Sequence, residues 1–98
     1  MNARAAAWLY DADRRGVRQI TETFVDSDGG MCALEVLIVE VGLRDSSTLD
    51  RLFGFSTSAL QCPACDRIAR EAHLIVHLND VHHWSFSEIA RKLGPDHA

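Results

Sequence analysis

The stretch CPACDRIAREAHLIVHLNDVHH, residues 62–83, holds two of the three cysteines and four of the five histidines in the chain. It contains a Cys-x2-Cys pair, Cys62 and Cys65, followed by His77 and His82 at a spacing close to that of two-cysteine, two-histidine zinc fingers. Thiolates and imidazoles in a set of four suit a tetrahedral metal ion. The stretch therefore predicts a metal site on these four side chains, with zinc as the candidate cofactor.

The same stretch also fits a plain helix that needs no metal. Pro63 suits the first helical position, and apolar residues recur at helical spacing after it. In an unbroken helix Cys65 and His77 would stand about 18 Å apart, because the chain rises about 1.5 Å per residue. Metal binding therefore requires the chain to fold back between Asp66 and about Arg70, before any helix begins. Both hypotheses remain open at this point.

Two further histidines and a redox hypothesis add alternatives for this stretch. His73 and His83 are alternative metal ligands, since His73 would share a helical face with His77. The C-P-A-C sequence could also hold a reactive thiolate at a helix N-terminus, as thiol-redox proteins do. That motif belongs to a βαβ context, and the preceding segment over 53–61 is short and not clearly a strand.

Composition and charge narrow the classes of function. The 98 residues are 47% apolar and 24% charged, so we expect one domain over residues 1–98 with a modest core. No apolar run is long enough to span a bilayer, and the odd number of cysteines fits a reducing compartment. We therefore expect a cytoplasmic protein with no membrane partner. The net charge is −4 and no basic block appears, which favours a protein partner over nucleic acid.

Local patterns predict the remaining elements. They are a helix over 2–16, a strand and hairpin turn within 17–31, a short helix over 46–54 capped by Ser47, and a helix over 86–93. Residues 32–42 fit either a buried strand or a buried helix. A capping box of Ser85 and Glu88 marks the last helix. Together these predict an α+β fold that is mostly helical and has one β-hairpin, with zinc as a candidate for stabilising it.

Two segments resemble a group of known proteins. MCALEVLIVEVG, residues 31–42, resembles the C-A-L-G-A-L segment of small uncharacterised proteins of bacteria and phage, with Glu35 where the family has Gly. CPAC followed by IVHLNDVHHWSFSEIARKL, residues 75–93, resembles their closing H-L-N-D-x-H-x-W-[ST] pattern and last helix. The resemblance runs from about Val17 onward. It implies a compact, mostly helical fold, a metal site on the same four Cys and His residues, and a phage or mobile-element setting, without a known reaction.

The leading hypothesis for function is a non-enzymatic module that binds and regulates a protein partner. Exposed apolar residues could form its contact surface, with Phe53, Phe55 and Phe86 as candidates, although burial is the more common outcome for such residues. An alternative is a nucleic-acid-binding regulator that uses the C-terminal helix, because FSEIARKLG resembles the first helix of a helix-turn-helix. The cations for that role are Arg67, Arg70, Arg91 and Lys92. A further alternative is a CxxC thiol-redox protein.

Overall fold

Helices make up about half of the chain and accompany one short antiparallel hairpin. A computed structural model describes residues 1–42 and 46–94. Within these ranges the elements are, in chain order, α1 (Ala3–Arg14), α2 (Ala33–Val41), α3 (Ser46–Phe53), β1 (Leu60–Gln61), β2 (Ile68–Ala69), α4 (Glu71–Asp80) and α5 (Phe86–Leu93). The expected α+β class, with helices dominant and one β-hairpin, is confirmed. No helix in these ranges is long and apolar enough to cross a membrane.

The first and last helices form where their capping residues predict. The Asn2 side chain accepts a hydrogen bond from the Ala5 N–H (3.0 Å) and so begins α1. At α5, the Ser85 hydroxyl accepts from the Glu88 N–H and the Glu88 carboxylate accepts from the Ser85 N–H, both at 3.1 Å. The two helices pack against each other, and their buried faces supply much of the core.

The apolar segment that allowed either a strand or a helix forms α2. The Cys32 Sγ begins this helix by accepting from the Glu35 N–H (3.4 Å), and Gly42, with a φ of 77°, ends it. The helix packs against both α1 and α4, so most of its side chains are buried. A helix with two packed neighbours can bury a nearly continuous apolar run, which explains why its sequence shows no clear periodicity.

The hairpin predicted within residues 17–31 is present only as its turn. The Asp26 carboxylate accepts from two backbone N–H groups of that turn, at 2.8 and 3.0 Å, as a DSDGG turn requires. The segments on either side form isolated bridges in place of strands, in which Gln19 and Val25 each pair with Met31. The strand prediction was therefore wrong, and the β-hairpin of the fold is the later β1–β2 pair.

One buried side chain explains why the segment before α2 needs no partner strand. Asn79, on α4, is 0% exposed. Its Nδ2 donates to the Ile20 carbonyl oxygen (2.7 Å), and its Oδ1 accepts from the Ala33 N–H (3.0 Å) and from Gln19 Nε2 (2.7 Å). The Ile20 carbonyl oxygen, in the predicted strand, and the first N–H of α2 are therefore both bonded to one side chain.

The structure decides two further expectations. The candidates for an exposed contact surface are all buried, namely Phe53, Phe55 and Phe86, so the contact-surface hypothesis is wrong for them and the alternative of burial is confirmed. Phe53 is 1% exposed and packs edge-to-face on Trp8 with ring centroids 5.5 Å apart, because large rings stabilise a small core most when buried. Helix α3 begins before Ser47, which therefore lies in its first turn and not at its cap.

Helix α4, which carries two of the histidines of interest, is anchored at its start by a buried carboxylate. Glu71 accepts hydrogen bonds from the Ser56 N–H (2.9 Å) and from the Met1 ammonium group. The same ammonium group donates to the Leu93 carbonyl oxygen (2.7 Å). Each buried charge has an opposite partner, which offsets its loss of hydration and holds α4 in place.

Candidate metal centre

The Cys-x2-Cys pair lies in the turn of the β1–β2 hairpin. The Cys62 N–H donates to the Arg67 carbonyl oxygen (2.7 Å), which closes the turn around Cys65. Strand β2 then runs back, and α4 begins only at Glu71. The unbroken helix from Pro63 is therefore wrong, and the chain folds back in the region where metal binding requires it.

The two histidines meet because α4 ends between them. His77 lies in the last turn of α4, and its carbonyl oxygen accepts from the Val81 N–H (2.9 Å) and the His82 N–H (3.4 Å). His83 then adopts a left-handed conformation with a φ of 55°, which turns the chain toward α5. The His82 ring consequently packs edge-on against the His77 ring, with centroids 4.7 Å apart.

Four ligand atoms converge at this point. One atom each from Cys62, Cys65, His77 and His82 lies within 4.8 Å of the other three. The His77 Nε2 is 3.3 Å from the Cys65 Sγ and 3.1 Å from the His82 Nε2. Two imidazole lone pairs this close repel each other unless a proton or a cation lies between them. The structure thus brings all four predicted residues together, in positions to bind a metal ion.

Backbone hydrogen bonds position the two sulfur atoms, and the surroundings of His77 favour its neutral form. The Ala64 N–H donates to the Cys62 Sγ (3.3 Å) and the Arg67 N–H to the Cys65 Sγ (3.5 Å), so each sulfur receives a backbone hydrogen bond from two residues further on. These bonds hold both sulfur atoms in place within the turn. Burial lowers the pKa of His77, and the positive charges of His82 and Arg67 lower it further, which favours the neutral, ligating imidazole.

The alternative ligands lie outside this cluster. His73 is exposed one turn earlier on α4, and His83 is exposed and lines a separate recess beside Gln19. The C-P-A-C sequence lies in a hairpin turn and not at a helix N-terminus. Residues 62–65 therefore lack the helix N-terminus that activates the thiolate in thiol-redox proteins. The third cysteine, Cys32, is buried at the start of α2, where burial raises the pKa of its thiol.

An apolar groove lies beside the metal centre, between α2 and α4, and is called the α2–α4 groove below. Its volume is about 550 Å³, and a second recess of about 410 Å³ adjoins it at Phe24 and Val76. Apolar lining comes from both helices and from the loop before α2: Phe24, Leu34, Ile38, Val76 and Val81. His77 belongs to both the groove and the metal centre.

The sequence did not predict this groove, because residues 32–42 fit either a strand or a helix. Leu34 and Ile38 lie one helical turn apart, with a rise of about 6 Å between them, only if that segment is helical; in a strand they would be about 13 Å apart. Comparison of the chain with protein-family models, curated proteins and solved structures gave no match.

Proposed function

We propose that this protein is a small cytoplasmic interaction module, held rigid by a structural zinc ion, that binds and regulates a protein partner and catalyses no reaction. The observation that carries the proposal is the convergence of Cys62, Cys65, His77 and His82. Catalytic zinc sites have three protein ligands and leave one position for water, whereas structural sites are closed by four. A set of four protein ligands therefore supports a structural role.

The distances within the cluster favour zinc over harder cations. A tetrahedral zinc with Zn–N and Zn–S bonds of about 2.05 and 2.3 Å has N–N and N–S edges of about 3.3 and 3.6 Å. The corresponding distances here are 3.1 Å between His77 Nε2 and His82 Nε2, and 3.3 Å between His77 Nε2 and Cys65 Sγ. Magnesium and calcium prefer oxygen ligands, which this set lacks.

A metal ion would stabilise the part of the fold that needs it most. The strands of the β1–β2 hairpin have two residues each, and an isolated two-stranded hairpin is marginal at best. Zinc shared between this hairpin and the end of α4 would join the turn of the hairpin to the helix that follows it. Structural zinc sites supply apparent folding energies of about 10 kcal/mol, which is large beside the stability of a small domain.

The surface supports a protein as the partner. Several large apolar side chains are exposed: Phe24, Val25, Val39, Ile68 and Val81. Two of them, Phe24 and Val81, line the α2–α4 groove, and exposed apolar residues that share a surface are typical of interaction sites. The net charge of −4 is unfavourable for binding phosphate backbones. A regulator of this size also agrees with the phage or mobile-element setting that the resemblance implies.

Elemental analysis of the purified protein tests the metal half of the proposal. We expect one zinc per chain, and a red-shifted, intense visible spectrum when cobalt replaces it at a tetrahedral site with thiolates. Cys65→Ser and His77→Asn should lose zinc to a competing chelator, whereas the matched controls Cys32→Ser and His73→Asn should retain it. Zinc-free wild-type protein that is fully folded, or equal zinc loss in the controls, would contradict the structural site.

Affinity capture from cell extract tests the partner half. The zinc-loaded protein should retain a specific protein at physiological salt, in a stoichiometric complex that gel filtration can isolate. Gel-shift assays with random-sequence DNA and RNA serve as the comparison, because nucleic-acid binding declines steeply with added salt. A salt-sensitive gel shift without any protein complex would replace this proposal with the nucleic-acid-binding alternative.

A further inference from the structure

We propose that the α2–α4 groove binds an amphipathic helix of the partner protein, whose flank facing Arg67 carries acidic residues. The inference rests on the proposed function, because it assigns the surface through which the interaction module would act.

The first support is the shape and exposure of the groove. Its volume is about 550 Å³, and two of its apolar residues are well exposed, with Phe24 at 44% and Val81 at 60%. Between His73 and Asp80, both of which line the groove, α4 rises by about 10 Å, or two helical turns. This length matches a helix that inserts apolar side chains at positions i, i+4 and i+7.

The second support is the charge along one wall. Arg67 and Arg70 both line the groove, and they stand on either side of strand β2, about 10 Å apart if the strand is extended. Arg70 lies 3.7 Å from the Asp50 carboxylate, but in residues 1–42 and 46–94 no carboxylate lies within ion-pairing distance of Arg67. Acidic residues one or two turns apart on a bound helix would complement this wall.

A carboxylate lies where α4 ends, at Asp80, and gives the bound helix a direction. Asp80 lines the groove and its adjoining recess, and Glu22 lines that recess. Glu22 holds a left-handed φ of 69°, a strained conformation of the kind that collects at binding sites. These carboxylates would favour the positive N-terminal end of a bound helix, which would then run antiparallel to α4.

The groove is also tied to the metal centre. His77 lines the groove and is one of the four metal-binding residues, and Arg67 follows Cys65 by two positions. A zinc ion on the cluster would therefore fix the charged wall relative to α4. We expect groove binding to require the zinc-loaded protein.

The proposal is tested by selecting binders from a library of helical peptides of about 14 residues. Each peptide carries a lactam bridge that holds it helical, because free helices of this length are only marginally stable. The peptides share an apolar face and vary between Glu, Gln and Lys on one flank, and the zinc-loaded protein is the target. Selected helices should be rich in Glu on that flank. Arg67→Glu should lower the affinity for these Glu-rich helices about tenfold and raise the affinity for the Lys versions. Arg91→Glu, on the exposed part of α5, should leave both affinities unchanged.

A second pair of variants tests the apolar contact with matched exposure. Phe24→Ser should weaken binding of the selected helices about fivefold; the effect is modest because the ring is already partly buried in the free protein. Tyr10→Ser, at a residue of α1 that is 43% exposed, should leave binding unchanged. Helices with no preference for Glu, or an equal response in both pairs, overturn the groove proposal but leave the interaction module standing. Self-association that Phe24→Ser abolishes assigns the groove to a second copy, and so also overturns the proposal. A failure to select any helix, together with no captured protein, overturns both proposals.

Discussion

Replacing Asn79 with alanine should lower the free energy of unfolding of the zinc-loaded protein by about 3 kcal/mol. The side chain is fully buried and bonds two backbone groups, the Ile20 carbonyl oxygen at 2.7 Å and the Ala33 N–H at 3.0 Å. Each buried polar group left without a partner costs about 1–3 kcal/mol, and water entering the vacated space would recover part of the sum. Since small domains have about 5–15 kcal/mol in total, this one amide accounts for a large share.

Urea unfolding followed by tryptophan fluorescence measures the difference. The control is Gln61→Ala, which removes an exposed amide from β1 and should change the stability by less than about 0.5 kcal/mol. The Asn79→Asp variant keeps the acceptor for the Ala33 N–H but loses the donor to Ile20, so it should also destabilise the fold at neutral pH. A loss below about 1 kcal/mol in Asn79→Ala would refute the role assigned to this side chain.

Three further predictions concern the hairpin, a strained residue and an ion pair. Chelation of zinc should speed hydrogen exchange at the Cys62 N–H before the amides of α1 are affected, since two-residue strands do not hold alone; uniform loss of protection would contradict this. His83→Gly should raise the free energy of unfolding by up to about 1 kcal/mol without loss of zinc, because a φ of 55° favours glycine; loss of zinc would instead make His83 a ligand. The hydrogen bond from Arg18 holds the pKa of the Asp26 carboxyl below its usual range. The ion pair therefore stabilises the fold at pH values above the pKa that this carboxyl has in the unfolded chain. The stabilisation is lost as the pH falls through the lower pKa of the carboxyl in the folded protein. The stability gap between wild type and Arg18→Met should therefore close in acid, and a constant gap would exclude an ionic contribution.

The four residues of the candidate metal centre could be selected from their spacing, but their convergence could not be derived from it. The sequence left a metal site and an unbroken helix from Pro63 as equal alternatives, because residues 63–78 satisfy helical periodicity. The structure separates them through the β1–β2 register, in which Leu60 pairs with Ala69 and reverses the chain. That pairing is a contact between segments, and periodicity within one segment carries no information about it.

The strand predicted before α2 failed for a similar reason. Alternating β-branched residues favour a strand only when a neighbouring strand is available to pair with it. Here the Ile20 carbonyl oxygen accepts a hydrogen bond from the side chain of Asn79, which is far away in sequence, in place of a strand. The aromatic residues considered for a contact surface were also misplaced, since burial of Phe53 depends on its packing against Trp8.

What the sequence alone determined is the set of features whose causes lie within a few residues. Asn2, Ser85 and Glu88 define helix starts by bonding to N–H groups one turn away, and the turn at Asp26 closes on itself. Only the tertiary structure decided that residues 33–41 are helical and that His77 and His82, rather than their neighbours, face the cysteines. The same holds for the adjoining α2–α4 groove, which is apolar and has arginines on one wall. The physical reason is that hydrogen bonds within a turn are local, whereas burial and ligand convergence depend on which distant segments pack together.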